Sequence, residues 1–143
     1  MTSDMDKLLE AKFAAAPVVP LIEASDPAVA VATAKALQAG GLDVIEVVLR
    51  TDAALECMSA IISETSDIVV GAGTVLTADH AKAVADRGAQ FVVSPGLVDD
   101  VARFCLDRDM PFYGGTMTAG EVQRAYALGL RTVKFFPAKL AGG

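Results

Sequence analysis

Apolar and polar positions fall into alternating blocks along the chain. Residues 18–22, 43–49, 68–70, 91–93, 111–113 and 132–136 are short, nearly continuous apolar runs. Runs of this length read as strands buried on both faces. Helix signals fill the gaps between them. Ser3 can cap a helix over residues 4–16. Asp26-Pro27 places an N-cap before a proline at the first helical position, and Gly40-Gly41 closes that helix. Thr51-Asp52 opens a third helix to about residue 64, and Thr77 caps a fourth that ends at Arg87-Gly88. Asp99 starts a fifth to about residue 107. Thr118 and Glu121 form a capping box for a sixth that ends at Gly129.

Strand and helix in regular alternation predict an α/β fold with a parallel sheet covered by helices. The strands begin near residues 18, 43, 68, 91, 111 and 132. One βα unit therefore takes roughly 23 residues, a compact crossover. Six units fit, so the expected architecture is a parallel (β/α) barrel of the TIM type with about six of its eight βα units. The whole of residues 1–143 forms one such domain. Two further units would need roughly 45 more residues. An open, doubly wound sheet is the alternative, but its dinucleotide fingerprint is incomplete: Gly71-Ala72-Gly73 starts one, and Leu76 stands where the third glycine belongs. The Gly71-Ala72-Gly73 stretch reads instead as a tight strand-to-helix turn.

Composition narrows the function. The chain has 143 residues, of which 53% are apolar, with a net charge of −6. This acidity argues against a nucleic-acid partner, which calls for a basic face. A small anionic substrate needs only one or two local cations. Cys57 and Cys105 are far apart, and His80 is the one histidine. That leaves no metal cluster and no disulfide framework to expect. The acidic N-terminus does not resemble a signal peptide, and no apolar run reaches the roughly 18 residues of a membrane span. The expectation is a reduced, cytoplasmic protein without a membrane partner.

Two charged residues lie inside apolar strands. Lys134 sits in Thr132-Val133-Lys134-Phe135-Phe136, and alternation puts it on one face with Phe136. Desolvation disfavours an ammonium there and leaves a neutral amine able to act as a nucleophile. A strand-end lysine reaching out to solvent is the plainer alternative. Glu46 shares a face with Val44, Val48 and Arg50. In a barrel that face points inward, with its later residues toward the catalytic rim. A buried carboxylate there is either an internal salt bridge to Arg50 or Lys134 or a general acid/base, and the two roles are compatible. Arg50 suits a bidentate carboxylate ligand, or is simply a surface arginine. Thr74 offers a hydroxyl and an N–H at a strand end. Pro95 lies in the turn Ser94-Pro95-Gly96, which turn chemistry alone explains. His80 reads as solvated, Cys57 and Cys105 as core, and Met117 and Tyr126 as packing residues.

Five segments occur in order: Pro17 to Pro20, Glu46 to Thr51, Val70 to Leu76, Phe91 to Gly96, and Val133 to Ala138. With them the chain resembles the 2-dehydro-3-deoxy-phosphogluconate (KDPG) aldolases, a family that includes 4-hydroxy-2-oxoglutarate aldolases. The resemblance implies a (β/α)₈ barrel, usually a homotrimer, working as a class I aldolase without metal or cofactor. It implies Lys134 as the Schiff-base lysine and Glu46 as the general acid/base. Arg50 and Thr74 would hold the pyruvate carboxylate, and Pro95 and Phe136 would line the pocket. The implied reaction cleaves a six-carbon 2-keto acid phosphate to pyruvate and glyceraldehyde 3-phosphate.

The chain departs from the family pattern at Val48, where threonine is usual, and at Gly114, where proline is usual. It also has no counterpart of the family's seventh and eighth strands, which carry the phosphate-binding loops. Six units would leave open edges at the first and last strands. Three states are then open: a piece of a longer chain, completion by another copy, or closure as a smaller sheet. A non-catalytic fragment or assembly piece is the corresponding alternative function.

Overall fold

The computed structural model describes residues 3–143; the first two positions of the expected 1–143 domain lie outside the described residues. The elements run α1 (Asp4–Ala15), β1 (Leu21–Ile22), α2 (Pro27–Ala39), β2 (Val44–Val48), α3 (Ala54–Glu64) and β3 (Val69–Gly73). They continue with α4 (Ala78–Ala85), β4 (Val92–Ser94), α5 (Asp99–Leu106), β5 (Phe112–Thr116), α6 (Ala119–Ala127) and β6 (Lys134–Phe135). A short 3₁₀ turn, Ala138–Ala141, follows.

The sheet order is β1-β2-β3-β4-β5-β6, and every neighbouring pair is parallel. A doubly wound sheet reverses its strand order at a switch point. No reversal occurs here, so the open-sheet alternative falls and six consecutive units of a TIM-type barrel remain. The two faces of the sheet differ accordingly. Ile45, Val47, Val70, Ala72, Val92 and Phe112 point outward and pack on buried residues of α2 to α6. Val44, Val69, Phe91 and Val93 point inward and surround Leu9 of α1.

α1 therefore closes the N-terminal end of the barrel. Its capping box joins Ser3 and Asp6, and Lys12 pairs with Asp43 just ahead of β2. Phe13 meets the Tyr113 ring edge-on, with centroids 6.2 Å apart. The predicted caps at Asp26, Thr77 and Thr118 are all in place.

Several boundaries differ from expectation for identifiable reasons. β1 pairs only at Leu21–Ile22 rather than over 18–22, because Pro17 and Pro20 have no N–H to give to a ladder. The Pro20 carbonyl still accepts from the Glu46 N–H at 3.0 Å. Thr51 does not open α3: its hydroxyl donates to the Ala24 carbonyl at 2.7 Å, and the helix begins at Ala54 without a side-chain cap. Gly71-Ala72-Gly73 is not a turn but the second half of β3. Met117 and Tyr126, expected as packing residues, are 46% and 66% exposed. His80 is exposed, and Cys57 and Cys105 are buried. Among the described residues, no helix is long and apolar enough to cross a membrane.

Candidate active site

β2 is buried at all five positions. Alternation sends Ile45 and Val47 to the helices and Val44, Glu46 and Val48 to the interior. Glu46 is consequently 5% exposed inside an apolar barrel. Room for its carboxylate comes from the neighbouring strand: a Cβ on Gly73 would fall on Glu46 Oε1. Gly71 does the same for another inward group, since a Cβ there would strike the Phe91 ring. Both glycines serve close packing inside the barrel, and that explains why an apparent nucleotide-loop start is a strand.

Lys134 opens β6 and is half-buried. Its preceding residue, Val133, packs outward on the main core, so Lys134 faces inward. Its Nζ lies 4.8 Å from the centroid of the Phe136 ring, and the two share a face as the alternation predicts. Glu46 and Lys134 line one cavity of about 360 Å³ together with Leu21, Phe91, Val93 and Tyr113. Burial raises the Glu46 carboxyl above its ordinary value of 4.5, while the charges of Lys134 and Arg50 pull it back down. A buried carboxyl raised in this way is a candidate for proton transfer in the site.

Arg50, Thr74, Pro95 and Phe136 do not line this cavity; they stand around it at strand ends. Arg50 follows β2 at the rim. It does not form the internal salt bridge with Glu46 considered from the sequence; its Nη1 instead donates to Glu23 Oε2 at 3.4 Å. Thr74 follows Gly73 with φ at 59°, left-handed backbone that a β-branched residue rarely adopts. Strain of this kind collects at functional sites. The Pro95 carbonyl lies where a Gly115 Cβ would be, and Gly115 is the register partner of Lys134. Pro95 thus reaches the site through the backbone of β5. At the departures from the family pattern, Val48 is 2% exposed on the inner face and Gly114 faces outward toward Leu97 and Phe112.

Phe91, Tyr113 and Glu23 belong to this region and were not singled out from the sequence. The signal was available for Glu23, because alternation continued through the first apolar run puts Val19, Leu21 and Glu23 on one face. Tyr113 is held protonated: burial, with Asp6 and Glu10 nearby, pushes its phenol up to about 12. Burial likewise pushes the Cys105 thiol up to about 12, so no thiolate is available there near neutrality. Among the described residues, no group of three or more His, Cys, Asp or Glu could hold a metal ion.

Residues 9–143 match the family described as KDPG and KHG aldolase. A 2-dehydro-3-deoxy-phosphogluconate aldolase of Treponema pallidum is 46% identical over 127 residues, which is 89% of this chain and 59% of that protein. The KHG/KDPG aldolase of Escherichia coli is 42% identical over 127 residues, 89% of this chain and 60% of that protein. The chain thus spans about 60% of the length of these curated relatives. Among solved structures, the 2-keto-3-deoxy-6-phosphogluconate aldolase of Zymomonas mobilis with 3-phosphoglycerate superposes with a TM-score of 0.89 at 39% identity. It covers all of this chain and 66% of its own. A KDPG aldolase of Legionella pneumophila, with pyruvate captured as a covalent carbinolamine, gives 0.83 at 36% identity over 93% of this chain and 65% of its own. A family match over almost all the described residues, with a solved aldolase superposing over the whole chain, means that the chain belongs to the KDPG and KHG aldolase family.

Proposed function

We propose that this chain carries the chemistry of a class I aldolase that cleaves 2-keto-3-deoxy-6-phosphogluconate to pyruvate and glyceraldehyde 3-phosphate. The observation that carries the reading is one amine and one buried carboxyl, Lys134 and Glu46, on a single cavity inside the barrel.

Lys134 Nζ adds through its lone pair to the C2 carbonyl, and a proton passes from the nitrogen to the carbonyl oxygen to give a carbinolamine. Glu46 donates a proton as that hydroxyl leaves as water, and an iminium remains. The iminium is the electron sink. Glu46, through a water, removes the C4 hydroxyl proton; the C3–C4 bond breaks, its electron pair forms the enamine, and the aldehyde departs. Protonation at C3 and hydrolysis then release pyruvate and the free amine. Arg50 and Thr74 hold the keto-acid carboxylate so that C2 faces Nζ. Pro95 and Phe136 stand at the strand ends around the cavity, where they would meet the substrate beyond the lining. These steps use an amine, a carboxyl and water.

The second reading is a 4-hydroxy-2-oxoglutarate aldolase, favoured by the Escherichia coli relative that carries both names. The same lysine and carboxyl serve either substrate; steady-state rates on the two, coupled to pyruvate reduction, decide between them. A cytoplasmic homotrimer completes the proposal, and light scattering measures the oligomer.

Borohydride trapping with pyruvate tests the Schiff base. Intact mass and peptide mapping are expected to find one reduced pyruvate adduct on Lys134. A folded chain, by circular dichroism, with no adduct would overturn the assignment.

A further inference from the structure

Glu23 lies two residues past Leu21, and Leu21 is in register with Glu46. Val19 and Leu21, on the same alternating face, line the cavity of Glu46 and Lys134. Glu23 follows β1 directly, at the C-terminal rim and within reach of Arg50 at the end of β2. There its Oε2 accepts from Arg50 Nη1 at 3.4 Å, with both side chains about half exposed, at 53%.

We infer that Glu23 is a specificity-determining residue that engages Arg50 and competes for it with a keto-acid carboxylate. The inference rests on the Schiff-base aldolase reading, in which Arg50 receives the substrate carboxylate. An exposed ion pair at this distance is weak. A bidentate carboxylate on a guanidinium is stronger and better defined. Exchange therefore runs toward the substrate, with the affinity reduced by the Glu23 contact that is given up. The freed Glu23 carboxylate also leaves a negative charge at the mouth, which opposes a second anion arriving there. Ligands without a carboxylate have no claim on Arg50 and meet no such competition.

The discriminating experiment is borohydride trapping on Lys134 titrated with pyruvate and, separately, with hydroxyacetone, a ketone that lacks the carboxylate. Glu23→Gln is compared with the parent chain. It is expected to lower the half-saturating pyruvate concentration roughly two- to five-fold, the scale of an exposed ion pair. The hydroxyacetone curve is expected to stay unchanged. A structural role for Glu23 would move both curves, and either that result or an unmoved pyruvate curve overturns the inference while leaving the aldolase reading intact. Absence of any adduct in the parent chain overturns both. Glu23→Asp, which keeps the charge and shortens the reach, is expected to fall between parent and Glu23→Gln; a pyruvate curve weaker than the parent's would count against the exchange.

Discussion

Gly73 lies beneath the carboxylate of Glu46, where a Cβ would stand only 1.6 Å from Oε1. The absence of a side chain on β3 is what allows an acid from β2 to turn into the barrel. Gly73→Ala is therefore expected to cost about 1–3 kcal/mol through overpacking. Because the relief available is movement of Glu46, activity should fall further than stability does, by roughly 100-fold or more. Thermal melts beside retro-aldol rates test this. Gly71→Ala is the comparison: its Cβ meets the Phe91 ring, so it should lose similar stability with a smaller loss of rate.

That Glu46 and Lys134 face one interior cavity was legible from the sequence, because a charge inside a continuous apolar strand is conspicuous and a period of two fixes its face. The six βα units were legible for the same reason. The limits of the strands were not. Gly71 and Gly73 read as a turn because glycine favours turns, whereas their reason is the bulk of Phe91, just ahead of β4, and of Glu46 on β2, a tertiary fact. Thr51 read as a helix cap, but the Ala24 carbonyl takes its hydroxyl from a distant loop. The face of Glu23 could be read from alternation, but its contact with Arg50, 27 residues away in the chain, could not.

Protonation of Glu46 sets one branch of the pH dependence of stability. Burial raises its folded carboxyl above 4.5, so between 4.5 and that raised value the folded chain holds a proton that the unfolded chain has lost. Its contribution is full below 4.5 and is lost as pH rises through the raised value. The loss amounts to about 1.4 kcal/mol for each unit by which the group is raised. Glu46→Gln cannot ionise, so its denaturation midpoint should exceed the parent's at pH 7, with the excess vanishing near pH 4. Urea melts from pH 4 to 8 measure this, and the same variant should fail to turn over substrate.

Thr74 carries backbone strain at φ 59°. A non-glycine residue held there costs about 1–3 kcal/mol, and glycine returns part of the gain through its larger unfolded-state entropy. Thr74→Gly is thus expected to stabilise the chain by about 1 kcal/mol. If Thr74 helps hold the carboxylate, pyruvate trapping should at the same time require several-fold more pyruvate. Gain of stability with loss of affinity is the pattern of strain kept for binding; loss of both would mean that the side chain serves packing.

The opposite sign holds at the outer layer. Arg124 of α6 donates from Nε and Nη2 to the two Asp99 oxygens at 2.8 and 2.7 Å, joining α6 to the first turn of α5. The hydrogen bonds from Arg124 hold the Asp99 carboxyl below its ordinary 3.8, against a smaller opposing effect of desolvation. A lowered folded value means that the contribution is present above 3.8 and is lost as pH falls through that lowered value. Asp99→Asn should therefore melt below the parent at pH 7, with the gap closing in strong acid. Screening by solvent keeps the effect small, and salt should reduce it. The Glu46 variant differs from its parent chiefly at neutral pH in the opposite direction, so the two melts taken together separate a buried acid kept for chemistry from an exposed one kept for docking a helix. If the Asp99→Asn gap persisted unchanged at low pH, packing rather than charge would be what the bidentate pair supplies.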